Sequence, residues 1–331
     1  MKRLFSLIMC SCVLAGCSSG GGSSDNDAQV GYLTHNGIRG LSYETQSQSG
    51  ITGPRGDFRY YPGETITFRL GSLVLAENVP AKERLSPLDL EPAHLAELHD
   101  SVMVDGLSTH KPVESELILT DHYLINVFRL LLSLDADDND KNGIYIQDKI
   151  LDDIAAYPLD QPINFHKIPK DFGNHEVITA PENLFVWALC FDGYSNSTCS
   201  NPYAGRRIKS EGNATSYMQT QSDFIFNNIS TGLSLSPFAF EIASNDRSLH
   251  TVTIRGHRNE LSIAELEVVS TDDSVVAVHS RDPARQQVTF YNVSTEPTAG
   301  ATLWFNIRLA DDYRWIKKPL KVLIHPNPMK R

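Results

Sequence analysis

The segment Asp135-Ala136-Asp137-Asp138-Asn139-Asp140-Lys141-Asn142-Gly143-Ile144 places four aspartates within six residues. Hard cations such as Ca2+ take six to eight oxygens, and alternating carboxylates on a short loop can supply several of them locally. Asp135, Asp137 and Asn139 fall at the first, third and fifth positions of an EF-hand-like loop, and the carbonyl of Lys141 falls at the seventh. Asp140 stands at the sixth position in place of glycine, and Ile146 at the twelfth in place of a bidentate glutamate, with Asp148 able to substitute through a looser loop. A second register starting at Asp138 places Gly143 correctly but puts Lys149 at the twelfth position. The loop reads as a structural Ca2+ site or as a solvated acidic turn whose charges are screened by water and salt.

Other chemistries find no matching constellation. A Gly-x-Ser-x-Gly nucleophile elbow is absent, and His175-Glu176 opens an HExx sequence in which Thr179 stands where a second zinc histidine belongs. No glycine loop carries the Lys-Ser/Thr of a phosphate cradle. The net charge of −11 argues against nucleic acid as a partner. These residues point to a chain that is not an enzyme.

The cysteines divide by position. Lys2 and Arg3 precede the apolar run Leu4 to Leu14, and Ala15-Gly16 then lead into Cys17. A basic start, a short apolar run and small residues are the layout of a secretory signal, and the run falls short of the ~20 residues of a spanning helix. Cys10 and Cys12 would leave with that signal, and removing Lys2 and Arg3 takes the net charge to −13. Cys190 and Cys199 remain, an even pair in an oxidising compartment, and are expected to form a disulfide. Closing that loop of about ten residues is worth ~2–3 kcal/mol by chain entropy.

The stretch Leu14-Ala15-Gly16-Cys17 resembles the lipobox of bacterial lipoproteins. The resemblance implies cleavage before Cys17 and lipid on its sulfur. Ser18, where an aspartate would favour inner-membrane retention, implies sorting to the outer membrane. The following Ser18-Ser19-Gly20-Gly21-Gly22-Ser23-Ser24-Asp25-Asn26-Asp27 reads as a flexible tether.

Period-two alternation bounded by Gly and Pro marks short strands from Gly31 to Leu75. Gly40-Leu41-Ser42-Tyr43-Glu44-Thr45, Ser49-Gly50-Ile51-Thr52, Gly56-Asp57-Phe58-Arg59-Tyr60 and Gly63-Glu64-Thr65-Ile66-Thr67-Phe68 resemble a module of Gram-negative lipoproteins and adhesin-like surface proteins. That module is similar to carboxypeptidase regulatory-like sandwiches. The resemblance extends through Ser86-Pro87-Leu88-Asp89-Leu90 to about Ala156. Some members carry the label of an organic solvent ABC transporter permease, whose literal sense this chain does not fit, because no later apolar run approaches ~18 residues.

Thr120-Asp121 can cap a helix from about His122 to Leu134, where Leu124, Val127, Phe128 and Leu131 form one apolar stripe. A shorter helix is expected from Gln147 to Ala156. From about Ser210 the pattern turns to β, with strands expected at 238–242, 250–254, 261–269, 274–279, 287–293, 301–309 and 320–324, a sandwich of immunoglobulin-like kind. Val268-Val269-Ser270-Thr271-Asp272-Asp273-Ser274-Val275-Val276-Ala277-Val278 resembles the strand-turn-strand of bacterial Ig-like domains. Trp304, Phe305 and Trp315 read as core aromatics.

The expected fold is mainly β. A signal at 1–16 and a tether at 17–29 precede a small β-sandwich at 30–80 and a helix–acidic loop–helix segment at 81–160. A disulfide-containing connector at 161–210 then leads to an Ig-like β-sandwich at 211–331. The functional expectation is a non-enzymatic lipoprotein held in the outer membrane by lipid, with an envelope protein or surface glycan as partner. The alternative is an enzyme, or an enzyme accessory, acting on envelope polysaccharide or peptide.

Overall fold

A computed structural model of the chain describes residues 28–156, 163–177, 179–188, 207–257 and 261–326. Its fold is mainly β. The N-terminal body opens with β1 (Gln29–Leu33), β2 (Ile38–Arg39), β3 (Ser42–Glu44), β4 (Ser49–Ile51), β5 (Asp57–Tyr60), β6 (Thr65–Leu70), β7 (Leu73–Pro80) and β8 (Arg84–Leu85). One sheet has the order β5-β1-β8 and a second β4-β3-β6-β7. Strict alternation in Thr65-Ile66-Thr67-Phe68-Arg69-Leu70 buries Ile66, Phe68 and Leu70 on one face. Phe58 of β5 meets Phe68 edge-on at 5.6 Å, which closes the two sheets over a common core. Gly40 has φ of +100°, and a Cβ there would lie 2.7 Å from the Ile146 carbonyl oxygen, so this turn requires glycine.

Helices and a hairpin complete that body: α1 (His94–His99), the hairpin of β9 (Val102–Val104) and β10 (Leu107–Thr109), α2 (Lys111–Thr120), α3 (His122–Ser133), β11 (Ile144–Tyr145), α4 (Asp148–Ala156) and α5 (Pro181–Ala188). Of the expected capping pair Thr120-Asp121, it is the Asp121 carboxylate that accepts the Leu124 N–H at 2.7 Å and caps α3. α3 is buried on nearly every side, and β11 pairs in parallel with β2, so the acidic loop between α3 and β11 is pinned at both ends.

The reading of β structure from Ser210 onward is corrected at its start. Residues 211–231 form the longest helix described, α6 (Glu211–Thr231), capped by the Ser210 hydroxyl and Asn213. Ala214, Tyr217 and Met218 join the N-terminal core, whereas Phe226 and Ile229 pack against the C-terminal one. A helix of this length spans roughly 30 Å. It bridges the two bodies.

The C-terminal body comprises β12 (Leu233–Ser236), β13 (Ala239–Ala243), β14 (His250–Gly256), β15 (Ile263–Ser270), β16 (Val276–Asp282), β17 (Gln287–Asn292), β18 (Gly300–Leu309) and β19 (Trp315–His325). Two four-stranded sheets, β12-β14-β17-β16 and β13-β19-β18-β15, enclose a core of Val252, Ile254, Phe290, Leu303, Phe305 and Leu320. All seven expected strands are present within a few residues of their expected bounds, apart from an early start of β19, and β12 is additional. Phe305 lies in this core as expected, whereas Trp315 is buried outside it, against His110 of the N-terminal body, and Trp304 is half-buried on the outward face.

The turn between β18 and β19 reaches into the N-terminal body. Arg314 is buried beside Glu114 of α2, Nε to Oε2 at 3.5 Å, and its Nη1 lies 3.2 Å from Asp312. The Tyr313 hydroxyl donates to Glu114 at 2.6 Å, and Lys111 bridges Glu114 at 2.9 Å to Asp223 of α6 at 2.7 Å. Buried Asp89, held by Lys82 at 2.9 Å, adds a further negative field. Burial works against charge on both Glu114 and Arg314, yet the neighbours prevail. The Arg314 and Lys111 cations hold Glu114 below the usual glutamate range, and the Asp312, Glu114 and Asp89 carboxylates raise Arg314. A second seam lies beside it: Glu267 of β15 accepts the Ser108 N–H at 2.8 Å and hydroxyl at 2.6 Å, and Asn306 donates to the Ser108 carbonyl at 2.8 Å.

Removing one partner of a buried pair leaves an uncompensated charge. Arg314→Met is expected to destabilise the protein by about 3–5 kcal/mol in urea unfolding. A loss below about 1 kcal/mol would mean that the pair does not hold the bodies together. His110 gives a pH signature of opposite origin to an ion pair. Its Nδ1 accepts the Trp315 N–H at 3.0 Å, so the folded state holds it neutral, and burial lowers its pKa to about 4. A histidine depressed in the folded state contributes stability above its unfolded pKa of about 6.5, and this is lost as pH falls toward the folded value. The contribution is about 3 kcal/mol across that window. His110→Gln should flatten the stability profile between pH 6.5 and 4, as read by thermal melts. An unchanged slope would overturn this assignment.

Candidate functional site

The acidic loop leaves α3 at Asp135, which is buried, and returns to the sheet at β11. Gly143 has φ of +103°, and a Cβ there would lie 2.5 Å from the Asn36 carbonyl oxygen, so the chain closes against its neighbour without a side chain. Asp135 accepts the Tyr145 N–H on Oδ1 and the Asn139 N–H on Oδ2, both at 2.9 Å. Asp137 accepts the Asn139 N–H at 3.2 Å on one oxygen and the Asn142 amide at 2.7 Å on the other. Asn139 accepts the Lys141 N–H, and the Lys141 carbonyl accepts the Asn36 amide at 2.9 Å. Asp138 pairs with Lys209 at the entry to α6. Burial pushes the Asp135 carboxyl up despite its two N–H donors, whereas the Asn142 amide holds exposed Asp137 below the usual range.

The structure thus brings Asp135, Asp137, Asn139 and Lys141 into one loop, with Asp148 apart, exposed in the first turn of α4. Ile146, at the twelfth position, is buried in the core. Each side-chain oxygen of Asp135, Asp137 and Asn139 already receives a protein donor, and among the described residues no group of three or more His, Cys, Asp or Glu converges to hold a metal ion. The geometry is that of a turn stitched by its own carboxylates, and calcium binding remains a proposal for which that geometry supplies no cage. Two shallow concavities flank the loop. One of about 130 Å³ lies between Asp135, Asp138, Lys209 and Asn213, and one of about 200 Å³ holds Arg39 over the Tyr145 ring at 4.3 Å.

Among the histidines, His94 pairs with Asp121, but its Nδ1 faces Glu97 at 3.6 Å. Both ring nitrogens face carboxylates, so the pair fastens α1 to the first turn of α3. The Asp121 hydrogen bond raises the His94 pKa. Sequence reasoning missed the ion cluster of Asp89, Glu114 and Arg314, because nothing local to any of the three marks a partner so distant in the chain. The lipidation residue Cys17 and the pair Cys190 and Cys199 lie outside the described residues. No protein-family model matches the sequence, and no curated protein matches it.

Asp135→Ala strands the Tyr145 N–H and leaves the Asn139 N–H only its longer bond to Asp137, and is expected to cost about 1–3 kcal/mol in urea unfolding, with or without calcium. Calorimetric titration with Ca2+ checks the metal proposal. Heat release together with a melting temperature that falls on chelation supports it, and the absence of both removes it.

Proposed function

We propose that this chain is a lipoprotein anchored in the outer membrane through lipid on Cys17, with a non-enzymatic body that binds an envelope protein or a surface glycan. The observation that carries the reading is the run from Lys2 to Leu14 ending in Leu14-Ala15-Gly16-Cys17, followed by Ser18 and a Gly/Ser-rich tether. More than one acyl chain on that cysteine would give firm anchoring, since a single chain binds only marginally. The body suits a scaffold. Its two cores share one helix, and a buried ion cluster ties the last strand pair to α2, so loops on either body keep a fixed relation. Among the described residues, no helix is long and apolar enough to cross a membrane. The disulfide between Cys190 and Cys199 belongs to the same reading, as a staple formed in an oxidising compartment.

Metabolic labelling with an alkyne fatty acid should mark the wild-type chain and leave Cys17→Ser unmarked. An unlabelled wild-type chain would overturn the anchor, and with it the address. Crosslinking on intact membranes followed by capture should recover a stoichiometric envelope partner, whereas recovery of abundant bystanders alone would sink the binding role.

A further inference from the structure

The β13-β19-β18-β15 sheet turns its second face away from the sandwich core. Near Glu267 and Asn306 that face is covered by the β9–β10 hairpin. Beyond it, Lys317, Pro319, Lys321 and Leu323 of β19 are all exposed, Leu323 by 54 %, although β19 runs between two neighbours. Register places Val269, Trp304 and Pro319 in one row across three strands. Lys317 pairs with Asn306 and Lys321 with Thr302, so one lysine lies on each side of the row. The Lys317 ammonium stands 4.6 Å from the Trp304 ring centre.

Three further features keep this strip open. The β13 ladder begins only at Ala239 opposite Lys321, so beside Pro319 the strand is an edge, the place where a proline without an N–H is tolerated. Lys321 has small neighbours, Ala239 and Thr302. Neither Lys317 nor Lys321 has a salt bridge among the described residues. An indole and a pyrrolidine ring flanked by two lysines that have no salt bridge among the described residues form a local complement to a flat, negatively charged ligand.

We propose that this face binds a uronate-bearing polysaccharide, with a sugar ring lying on Trp304 and Pro319 and carboxylates reaching Lys317 and Lys321. The inference rests on the reading of the chain as an envelope-binding protein and names its ligand class and surface. The two lysines are four residues apart along one strand, about 13 Å, so a single sugar cannot engage both and the ligand is an oligomer. An anionic membrane is the poorer fit, since adhesion by charge calls for a polybasic cluster and this strip carries two lysines.

Affinity electrophoresis of the full-length, detergent-solubilised protein through gels containing polygalacturonate tests the proposal, with dextran as the neutral control. Retardation is expected in polygalacturonate alone, weakening with salt. At least a tenfold loss of apparent affinity is expected in Trp304→Ala and in the Lys317→Gln/Lys321→Gln double variant. The double variant changes only exposed side chains, so it reports even where the tryptophan variant misfolds, and circular dichroism checks both. Absence of retardation, or equal retardation of wild type and the double variant, overturns the proposal. So does retention only by phosphatidylglycerol vesicles or by polyglutamate, which would assign the face to a membrane or an acidic peptide. Fatty-acid labelling of the same preparation separates the two levels, because a labelled chain that ignores polygalacturonate loses this surface and keeps its anchor.

Discussion

A guanidinium buried between two domains is the constraint around which this molecule is organised. Arg314 comes from the C-terminal sandwich with its nearest counter-charge, Asp312, and the further counter-charges Glu114 and Asp89 come from the N-terminal body. Taking an ion out of water costs several kcal/mol, so such a cluster persists only where every member is held in place. The carboxylates here are held, and Arg314 is hydrogen-bonded through Nη1 to Asp312 while its Nε and Nη2 rely on the surrounding negative field. Glu114 is fixed by Tyr313 and Lys111, Lys111 by Asp223 on α6, and Asp89 by Lys82 and the Ser86 N–H. The cluster therefore specifies one mutual arrangement of α2, α6 and the β18–β19 turn. An apolar contact of equal area would tolerate sliding; paired charges do not.

The elements that form one-sided surfaces were readable from the chain. Thr65–Leu70 alternates with a clean period of two, and α3 combines an Asp121 cap with regular apolar spacing, because each element faces a single core. α6 failed that test for a physical reason. Its apolar residues divide between two cores, Tyr217 and Met218 toward one and Phe226 and Ile229 toward the other, with the polar run Gln219-Thr220-Gln221-Ser222-Asp223 between them and Phe224 turned to solvent. No single stripe results, so the periodicity that signals a surface helix is absent. Adjacent Trp304 and Phe305 show a simpler error. Neighbours on a strand point to opposite faces, so both could not enter the same core.

The acidic loop shows what composition conveys and what it withholds. Four aspartates in six residues announce a concentration of oxygen ligands, but not where those oxygens point. In the folded chain Asp135 and Asp137 accept main-chain N–H groups of the loop, Asp135 being buried to reach two of them, and Asp138 pairs with Lys209. Aspartate and asparagine compete readily for local backbone donors, and a loop rich in both satisfies itself. The side-chain partners that matter most for the whole molecule lie far away in sequence, where neither spacing nor composition signals them.

The position of residue 314 also sets an order of assembly. Glu114 leaves the ribosome roughly two hundred residues before the tyrosine and arginine that complete its surroundings. Through that interval the first half of the nascent polypeptide has only Lys111, on its own helix, to offset the carboxylate. Its interior stays unfinished until Tyr313 and Arg314 arrive, so a chain interrupted before them would be defective around Glu114.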